Sequence, residues 1–378
     1  MISNATYLDY NATAPVRREA ADAVAEVLAF CGNPSSVHKA GRLAHAKLET
    51  AREQVAALVG RPPSDVIFTS GGTEANALAL NGGGRSKVFV SAIEHPAVLN
   101  ARDDIEIIPV DENGLVDLDW LDAALGANGN ETLVSVMAAN NETGVLQPIE
   151  AIAEIAKRHG ALFHSDAVQI PGKTPLDRLA EQTHMISISA HKLGGPQGVG
   201  ALIVAEEDVS LMPMLKGGGQ ERSKRAGTEN LPGIVGFGVA AEMAMGELGN
   251  TGRIESLRDT LEARIAEVTQ DAIFAAQGAS RLPNTSCFAV SGLSAETLVM
   301  ALDLAGVMVS AGSACSSGKV KASHVLKSQG WSDELASSAI RVSLGQATSE
   351  ADIETFLDAW TAIYHRLGTD KKVEGAAA

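Results

Sequence analysis

Short apolar runs alternate with helical segments from residue 66 to about residue 250, and this alternation constrains the fold most strongly. The runs, rich in Val, Ile and Phe, are predicted strands at 66–69, 87–91, 105–110, 133–137, 161–165, 185–189 and 200–204. They are nearly continuous, as in strands buried on both faces. The clearest intervening helix covers Ile149–His159 and is followed by Gly160, a common helix-ending residue. The pattern predicts an α/β fold with a mostly parallel sheet between helices, and ligands at the carboxyl ends of its strands.

The pattern changes after about Gly249. A polar helical segment covers 251–270, followed by predicted strands at 285–290, 306–310 and 340–345 and by helices near 296–304 and from about residue 350. Fewer strands and fewer crossover helices are typical of an α+β region. We therefore expect a large domain over residues 16–249 and a smaller α+β domain made of residues 1–15 and 250–378.

Composition excludes several classes of function. The 378 residues carry a net charge of -16, which disfavours general binding to nucleic acid. Three distant cysteines, Cys31, Cys287 and Cys315, with no CxxC pair, argue against a disulfide framework or a structural zinc site. Cys31 is expected to end a helix and Cys287 to lie in a strand, both in structural roles. No signal peptide and no apolar run of membrane-spanning length is apparent, so we expect a soluble cytoplasmic protein without metal, nucleic-acid or membrane partners.

Two loops that follow predicted strands carry candidate ligand-binding residues. In "TSGGTEAN", a Gly-Gly-Thr turn at Gly72 and Thr73 precedes a helix, so that backbone N–H groups can face an anion. The alternative for this turn is an ordinary capped strand-to-helix connection. In "SAIEHPAV", His95 precedes a helix-starting proline, where a lone histidine is usually structural or merely exposed.

Two further loops carry charged residues. Asp166 ends the run "ALFHS" and can cap the next turn or pair with a cation. In "SISAHKLGGPQG", Lys192 follows a buried strand together with Ser189 and His191. A surface lysine is the ordinary interpretation, but burial there lowers a lysine's pKa and frees the amine to attack an aldehyde.

Together the four loops fit one ligand better than any of them does alone. An anion cradle, a lysine for an aldehyde, an aspartate for a protonated ring nitrogen and a histidine able to stack on a ring describe a pyridoxal phosphate site.

Cys315 lies in "VSAGSACSSG", where no bulky residue stands nearby to bury it. It belongs either to an ordinary Ser/Gly loop or to a reactive site, since a reactive thiol needs access and a stabilised thiolate.

The sequence resembles the cysteine desulfurases, in the NifS/IscS-like branch of the class V, fold-type I pyridoxal phosphate enzymes. The resemblance covers nearly the whole chain, through "YLDYNATAPV", "NPSSVH", "IFTSGGTEAN", "EHPAVL", "NNETGVLQPI", "FHSDAVQIPGK", "SAHKLGGPQGVGAL", "GGGQERSKRAGTEN", "RLPNTS", "SAGSACSSG" and "IRVSLG".

The resemblance implies a role for each candidate residue. Lys192 holds the cofactor covalently and moves the substrate's α-proton, and His95 stacks on the ring and assists proton transfer. The other implied contacts are Asp166 with the pyridine nitrogen, Gln169 with the ring-hydroxyl side, Gly72, Thr73, Ser189 and His191 with the phosphate, Thr228 with the phosphate of the other subunit of a homodimer, and Asn141 and Arg341 with the substrate carboxylate, Asn141 also lying at the cofactor. Without the resemblance, Arg341 reads as a strand-edge arginine in a structural ion pair.

The resemblance also implies the reaction. L-cysteine is converted to L-alanine, Cys315 takes the sulfur as a persulfide, and its long loop of small residues carries the sulfur to an iron–sulfur scaffold protein or another acceptor.

Departures and alternatives remain. Ala14, Gly194 and Gln197 stand where the family usually has threonine, a larger residue and lysine. The alternatives are a class V aminotransferase, a selenocysteine lyase and a non-catalytic sulfur or cluster carrier. The long Cys315 loop argues against an aminotransferase, and the Lys192–Asp166–His95 set argues against a carrier.

Overall fold

The computed structural model describes residues 5–126, 128–205, 207, 209–312 and 322–375, with side chains up to residue 367. Numbered in chain order, its strands are β1 Thr6–Tyr7, β2 Val66–Thr69, β3 Lys87–Ser91, β4 Ile105–Ile108, β5 Thr132–Ser135, β6 Leu162–Asp166, β7 Met185–Ser189, β8 Gly200–Val204, β9 Ala272–Phe274, β10 Thr285–Val290, β11 Val307–Met308, β12 Ser310–Ala311 and β13 Ala339–Ser343. Its α-helices are α1 Arg18–Leu28, α2 Lys39–Val59, α3 Gly72–Gly82, α4 Pro96–Leu99, α5 Leu118–Leu125, α6 Ile149–His159, α7 Asp177–Gln182, α8 Leu231–Gly246, α9 Thr251–Val268, α10 Ala295–Leu304, α11 His324–Ser328, α12 Asp333–Ser337 and α13 Glu350–Gly375.

A seven-stranded sheet with the order β2-β8-β7-β6-β5-β3-β4 confirms the predicted α/β fold. The pairs β7–β6, β6–β5, β5–β3 and β3–β4 are parallel, whereas β8 is antiparallel to both of its neighbours. The connection from β7 to β8 is too short for the crossover that a parallel pair requires. The predicted strands are confirmed to within two residues at their ends.

Helices cover both faces of this sheet because alternate strand residues point to opposite sides. Phe68 and Ile188 pack in a core with α1, α2 and α8, whereas Ile67 and Leu202 pack in a second core with α3. The helix predicted at Ile149–His159 is confirmed as α6. It ends at Gly160, whose φ of 72° is readily adopted by glycine.

A second, antiparallel sheet has the order β12-β13-β10-β9, and β1 pairs in parallel with β11. The predicted strand at 306–310 is in fact two strands that meet at Val309, because the chain leaves β1 there and joins β13. Helices α9, α10 and α13 form a separate core on this sheet, to which Leu8 of the N-terminal segment contributes. These separate cores support the two-domain division at residue 250, which we retain as a proposal.

The two described cysteines differ in their surroundings. Cys287 is fully buried in β10, as expected. The expectation that Cys31 ends a helix in a structural role is wrong. Helix α1 ends at Leu28, because the Gly32-Asn33-Pro34 stretch that follows is unfavourable for a helix. Cys31 lies exposed between the helix end and this stretch.

No single helix of the described chain is long and apolar enough to cross a membrane; one bent pair, Leu231–Gly246 with Leu248–Val268, meets the length and composition test only jointly.

Candidate active site

The carboxyl ends of β2, β3, β6 and β7 lie at one edge of the large sheet, and each leads into a loop with a candidate residue. Lys192 lies in a single 3-10 turn, Ala190–Lys192, directly after β7. Its Nζ donates hydrogen bonds to the backbone oxygens of Asn11 (2.6 Å) and Ala12 (3.0 Å). Burial lowers the pKa of Lys192 from 10.5 to about 8, helped by the charge of Arg341 and opposed by Asp166 and Asp9. A substantial share of the neutral, nucleophilic amine is therefore present near neutral pH.

Asp166 is the last residue of β6 and is 4 % exposed. Its carboxylate accepts hydrogen bonds from Asn76 Nδ2 (2.6 Å) and from the backbone N of Val168 (3.1 Å). Within the described residues no lysine or arginine forms an ion pair with Asp166. A buried carboxylate held by neutral donors is suited to a cationic partner such as a protonated ring nitrogen.

The glycine turn after β2 forms an open N-terminus for α3. Gly71 has a φ of 156° and a ψ of -179°, which only glycine adopts without strain, and no atom lies within 4 Å of where its Cβ would be. A Cβ on Gly72 would lie 3.7 Å from Ser189 Cβ, so Ser189 faces the same turn. The first N–H groups of an α-helix lack intrahelical partners, and with the exposed Thr73 hydroxyl they form an anion-binding surface.

His191 borders this region. Its Nδ1 lies 3.2 Å from Thr13 Oγ1, and burial, followed by the charge of Lys192, lowers its pKa to about 4. His191 is therefore neutral at physiological pH and acts as a hydrogen-bonding group rather than a cation.

His95 lies exposed at the N-terminus of α4, where its Nδ1 accepts a hydrogen bond from the backbone N of Ala97 (3.0 Å). Partial removal of the ring from water lowers the pKa of His95; the charge of Asp166 opposes this shift, and the charges of Lys192 and His324 add to it. The bond to Ala97 requires an unprotonated Nδ1, so Nε2 is the ring nitrogen that remains available.

Arg341 lies on β13, in the interior of the small sheet, and its guanidinium is almost fully buried. It forms an ion pair with Asp9 (2.6 Å) and donates to the backbone oxygen of Asn141 (2.9 Å). The structural ion pair is thus present, but the strand is not at an edge. Among the described residues Arg341 Nε has no hydrogen-bond partner, and it is the group left for a further anion.

Gln169 lies in the region of Lys192 and Asp166 together with three residues, Asn11, Asn76 and Lys173, that the sequence analysis did not single out. These four residues form what we call the floor of the site. Gln169 Nε2 donates to the backbone oxygen of Asn11 (3.0 Å), the same atom that accepts from Lys192. Asn11, Asn76 and Lys173 stand inside the quoted motifs "YLDYNATAPV", "IFTSGGTEAN" and "FHSDAVQIPGK". Their presence in those motifs was the available signal, because no periodic pattern marks them.

Two predicted residues lie apart from this cluster. Thr228 is exposed and lines a cavity of about 630 Å³ between the end of α1 and the start of α8, not the cavity that Lys192 lines. Cys315 lies outside the described residues. The described residues on either side of Cys315 are held in place by hydrogen bonds. On the C-terminal side, Ser323 Oγ donates to Glu142 (2.5 Å), and on the N-terminal side, the backbone N of Gly312 donates to the backbone oxygen of Ala339.

Two of the three departures from the family pattern line a cavity of about 260 Å³ beside Lys192. Ala14 and Gly194 border it together with Lys173, whereas Gln197 is exposed. A Cβ on Gly194 would lie 2.8 Å from Arg17 Cγ, and the φ of Gly194 is 84°. The left-handed backbone and the close approach of the Arg17 side chain therefore both favour glycine at this position.

Among the described residues, no group of three or more His, Cys, Asp or Glu side chains is arranged to hold a metal ion.

Comparisons with known proteins agree with this geometry. The family model for class V aminotransferases matches residues 6–356. A cysteine desulfurase of Cereibacter sphaeroides is 43 % identical over 376 residues, covering 96 % of both chains. The cysteine desulfurase IscS of Dictyoglomus turgidum is 40 % identical over 96 % of this chain and 95 % of its own.

Solved structures give the same result. A NifS-like protein from Rickettsia africae has a TM-score of 0.89 and 37 % identity, covering 96 % of this chain and 99 % of its own. The protein SspA, solved in complex with cysteine, has a TM-score of 0.76 and 30 % identity, covering 90 % of this chain and 98 % of its own.

Proposed function

Since the chain belongs to the class V aminotransferase family and, within it, to the cysteine desulfurases, we propose that it converts L-cysteine to L-alanine with pyridoxal 5'-phosphate. The observation that carries the proposal is that a buried amine, Lys192, and a buried carboxylate, Asp166, lie at the same edge of the large sheet. Lys192 has a pKa lowered to about 8, and Asp166 is held by neutral donors only.

The residues present fit this cofactor. Lys192 would hold its aldehyde, Asp166 would face its ring nitrogen, and Gln169 would face its ring-hydroxyl side. The residues that surround the glycine turn at the start of α3 would hold the phosphate, namely Gly72, Thr73, Ser189 and His191. When bound, the cofactor supplies an electron sink for the breaking bonds of the amino acid.

Arg341 is proposed to bind the substrate carboxylate. Its Nε has no partner in the part of the chain that the structure describes, while Asp9 and the Asn141 backbone hold the other end of the guanidinium. A guanidinium fixed in this way matches a carboxylate better than a flexible lysine would. The Asn141 side chain is proposed to take part beside it.

Proton transfer falls to Lys192 and His95. A lysine whose pKa lies near 8 can both accept and return a proton near neutral pH, which suits removal of the α-proton. His95 is proposed to stack on the cofactor ring and assist through Nε2, because Nδ1 is engaged by Ala97.

Cys315 is proposed to accept the sulfur. Its thiolate forms a bond to the substrate sulfur, the substrate carbon–sulfur bond breaks with its electron pair left on carbon, and that carbon is protonated to give alanine. The enzyme thiol and cysteine thus yield an enzyme persulfide and alanine with no external oxidant. The sulfur then passes to an iron–sulfur scaffold protein or another acceptor, a role suggested by the IscS and NifS-like relatives.

We further propose a homodimer in the cytoplasm. Thr228 lines a different cavity from Lys192, which supports a role at the site of a second copy. The free thiols of Cys31 and Cys287 are typical of a reducing compartment.

The test is an assay of alanine and sulfide released from L-cysteine, with L-selenocysteine beside it. We expect Lys192→Ala to lower turnover by about 10³-fold or more, because it removes the proton-transfer group and the attachment point. We expect Cys315→Ser to bind cofactor and substrate but to form no persulfide. Normal sulfide release by Cys315→Ser would contradict the role of Cys315, and activity on L-selenocysteine alone would identify a selenocysteine lyase instead.

A further inference from the structure

Lys173 is a second buried amine close to Lys192, and the proposed mechanism does not use it. It lies four residues after Gln169 and borders the same cavity as Lys192. Its Nζ donates to Gln169 Oε1 (2.8 Å) and to Asn11 Oδ1 (3.0 Å). Burial lowers the pKa of Lys173 well below its usual value, and the charges of Lys192 and Arg341 act in the same direction. Within the described chain Lys173 forms no ion pair.

The hydrogen bonds of Lys173 match a neutral amine. A neutral lysine has two N–H donors, and two acceptors face it. Both acceptors are amide oxygens. Asn11 Oδ1 also accepts from Asn284 Nδ2 (3.0 Å), so Lys173 fixes the Asn11 amide together with Asn284, whereas at Gln169 Oε1 it is the donor that the described residues supply. The group therefore acts by geometry rather than by charge.

Fixing these two amides fixes the donors on their other ends. With Gln169 Oε1 on Lys173, Gln169 Nε2 must point the other way, where one N–H reaches the backbone oxygen of Asn11 (3.0 Å). Its second N–H is left for a ligand. With Asn11 Oδ1 on Lys173, Asn11 Nδ2 donates to Asn141 O (3.2 Å) and Thr285 Oγ1 (2.9 Å).

The same network reaches Lys192. The backbone oxygen of Asn11 accepts hydrogen bonds from both Lys192 and Gln169. Consecutive hydrogen bonds therefore join Lys173, Gln169, Asn11 and Lys192. A displaced Gln169 or Asn11 would change where the free Lys192 amine rests.

We propose that Lys173 is a positioning residue that sets the amide orientation of Gln169 and, together with Asn284, that of Asn11, so that Gln169 presents an N–H donor to the ring-hydroxyl side of the bound cofactor. This inference rests on the proposed function, because it takes the cofactor to be the ligand that Gln169 meets.

The test measures cofactor binding and spectra rather than turnover. Lys173→Met keeps an unbranched side chain, one atom shorter, but removes both donors. We expect its dissociation constant for pyridoxal 5'-phosphate to rise about tenfold, as expected for lost hydrogen bonds, and the absorption and circular dichroism bands of the bound cofactor to shift. Lys157→Met, the same substitution at an exposed lysine of α6, serves as the control and should change neither.

A double-mutant cycle with Gln169→Leu separates positioning from general destabilisation. If Lys173 acts through Gln169, Lys173→Met should add little to the effect of Gln169→Leu on the dissociation constant and the spectrum. Lys173→Gln, which keeps N–H donors on a neutral side chain, should recover part of the loss, and it takes the place of Lys173→Met in the cycle if that variant does not fold.

The outcomes are distinguishable. Wild-type affinity and spectra in Lys173→Met, or fully additive effects in the cycle, would overturn the role of Lys173 while the proposed function stands. Wild-type protein that takes up no cofactor on Lys192, judged by borohydride trapping and mass mapping, would overturn the proposed function itself.

Discussion

Removal from water shifts the pKa of Lys192 and the pKa of Glu94, the residue before His95, far from their usual ranges. Lys192 has a pKa lowered to about 8, whereas the pKa of the fully buried Glu94 is raised to about 8. Burial favours the neutral form of each, so the acid and the base shift in opposite directions. Two pH dependences follow, one for reactivity and one for stability.

Aldehyde capture by Lys192 should follow its lowered pKa. The neutral amine is the reactive form, so the rate in cofactor-free protein should rise with pH and level off above about pH 8, not near 10.5. The measurement is the amount of pyridoxal phosphate trapped on Lys192 by borohydride as a function of pH, with a lysine peptide as the control. A rate that keeps rising to pH 10 would contradict the lowered pKa.

Glu94 should make stability fall as pH rises. Its Oε1 accepts from Ser91 Oγ and Met137 N, both at 2.6 Å, and its folded pKa of about 8 exceeds the usual 4.5. Between those values the unfolded chain ionises while the folded chain stays protonated, so the free energy of unfolding decreases from about pH 5 to pH 8.

Glu94→Gln removes this titration. The difference in unfolding free energy between pH 5 and pH 8, measured by urea denaturation, should be smaller in the variant by a few kcal/mol, since one pKa unit corresponds to about 1.4 kcal/mol. The exposed Glu53→Gln should leave the pH dependence as it is in the wild type. Equal slopes in Glu94→Gln and the wild type would contradict the raised pKa.

The functional residues at strand ends could be predicted from the sequence, but the residues that hydrogen-bond to them could not. Lys192, Asp166 and His95 were found because each follows an apolar run, and the structure brings their charges within mutual influence. Asn11 and Lys173 gave no such signal, because the hydrogen bonds that join Asn11 to Gln169 and to Lys173 span 158 and 162 residues of the chain. Contacts of that range depend on packing, which periodicity does not report.

At the scale of elements, a buried ion pair anchors the segment that leads to Thr228. Arg52 of α2 forms two 2.8 Å hydrogen bonds to Glu221, which also accepts from the backbone N of Phe68 (2.9 Å). Glu221, Arg222 and Ser223 all have positive φ values of 45° to 66°, unfavourable for residues other than glycine. The buried carboxylate holds this strained turn against β2.

Glu221→Ala should therefore be among the most destabilising single changes. It leaves the buried Arg52 with the partly exposed Glu49 as its remaining carboxylate partner (3.1 Å), and we expect a loss of about 3 kcal/mol in the free energy of unfolding. Glu26→Ala, which breaks an exposed pair with Lys47, should cost far less. Chemical denaturation measures both, and similar small losses would show that Glu221 is not an anchor.

Strands could be predicted more accurately where both of their faces are buried. The seven strands of the large sheet stood out as apolar runs, but their order and the reversal of β8 follow from loop length and pairing. The split of 306–310 into β11 and β12 could not be predicted, because the run is continuous and only its partners change at Val309.

At the scale of the whole molecule, exposed apolar side chains lie near the surface that Thr228 lines. Leu28 is 69 % exposed and borders the same cavity as Thr228, and Val37 is 88 % exposed beside Ser36 and His38 of its wall. Exposed apolar residues that cluster in this way are typical of an interface. The proposed homodimer is expected to cover them.

Sedimentation equilibrium should therefore report a dimer for the wild type. Leu28→Asp combined with Val37→Asp should shift it toward monomer, because two charges would be buried without partners. Leu304→Asp, at a 90 % exposed position on α10, serves as the control and should remain dimeric. A monomeric wild type would contradict the proposal.

The pairing of the N-terminal segment with β11 and β13 has a consequence for biosynthesis. Asp9 and Asn11 bond to Arg341 and Ser343, 332 residues further along the chain. A ribosome releases residues 6–11 long before those partners exist, so the nascent chain cannot complete the floor beneath Lys192 during translation. We expect the proposed cofactor to load only after residue 343 has left the ribosome, so a chain arrested before that residue should not bind it.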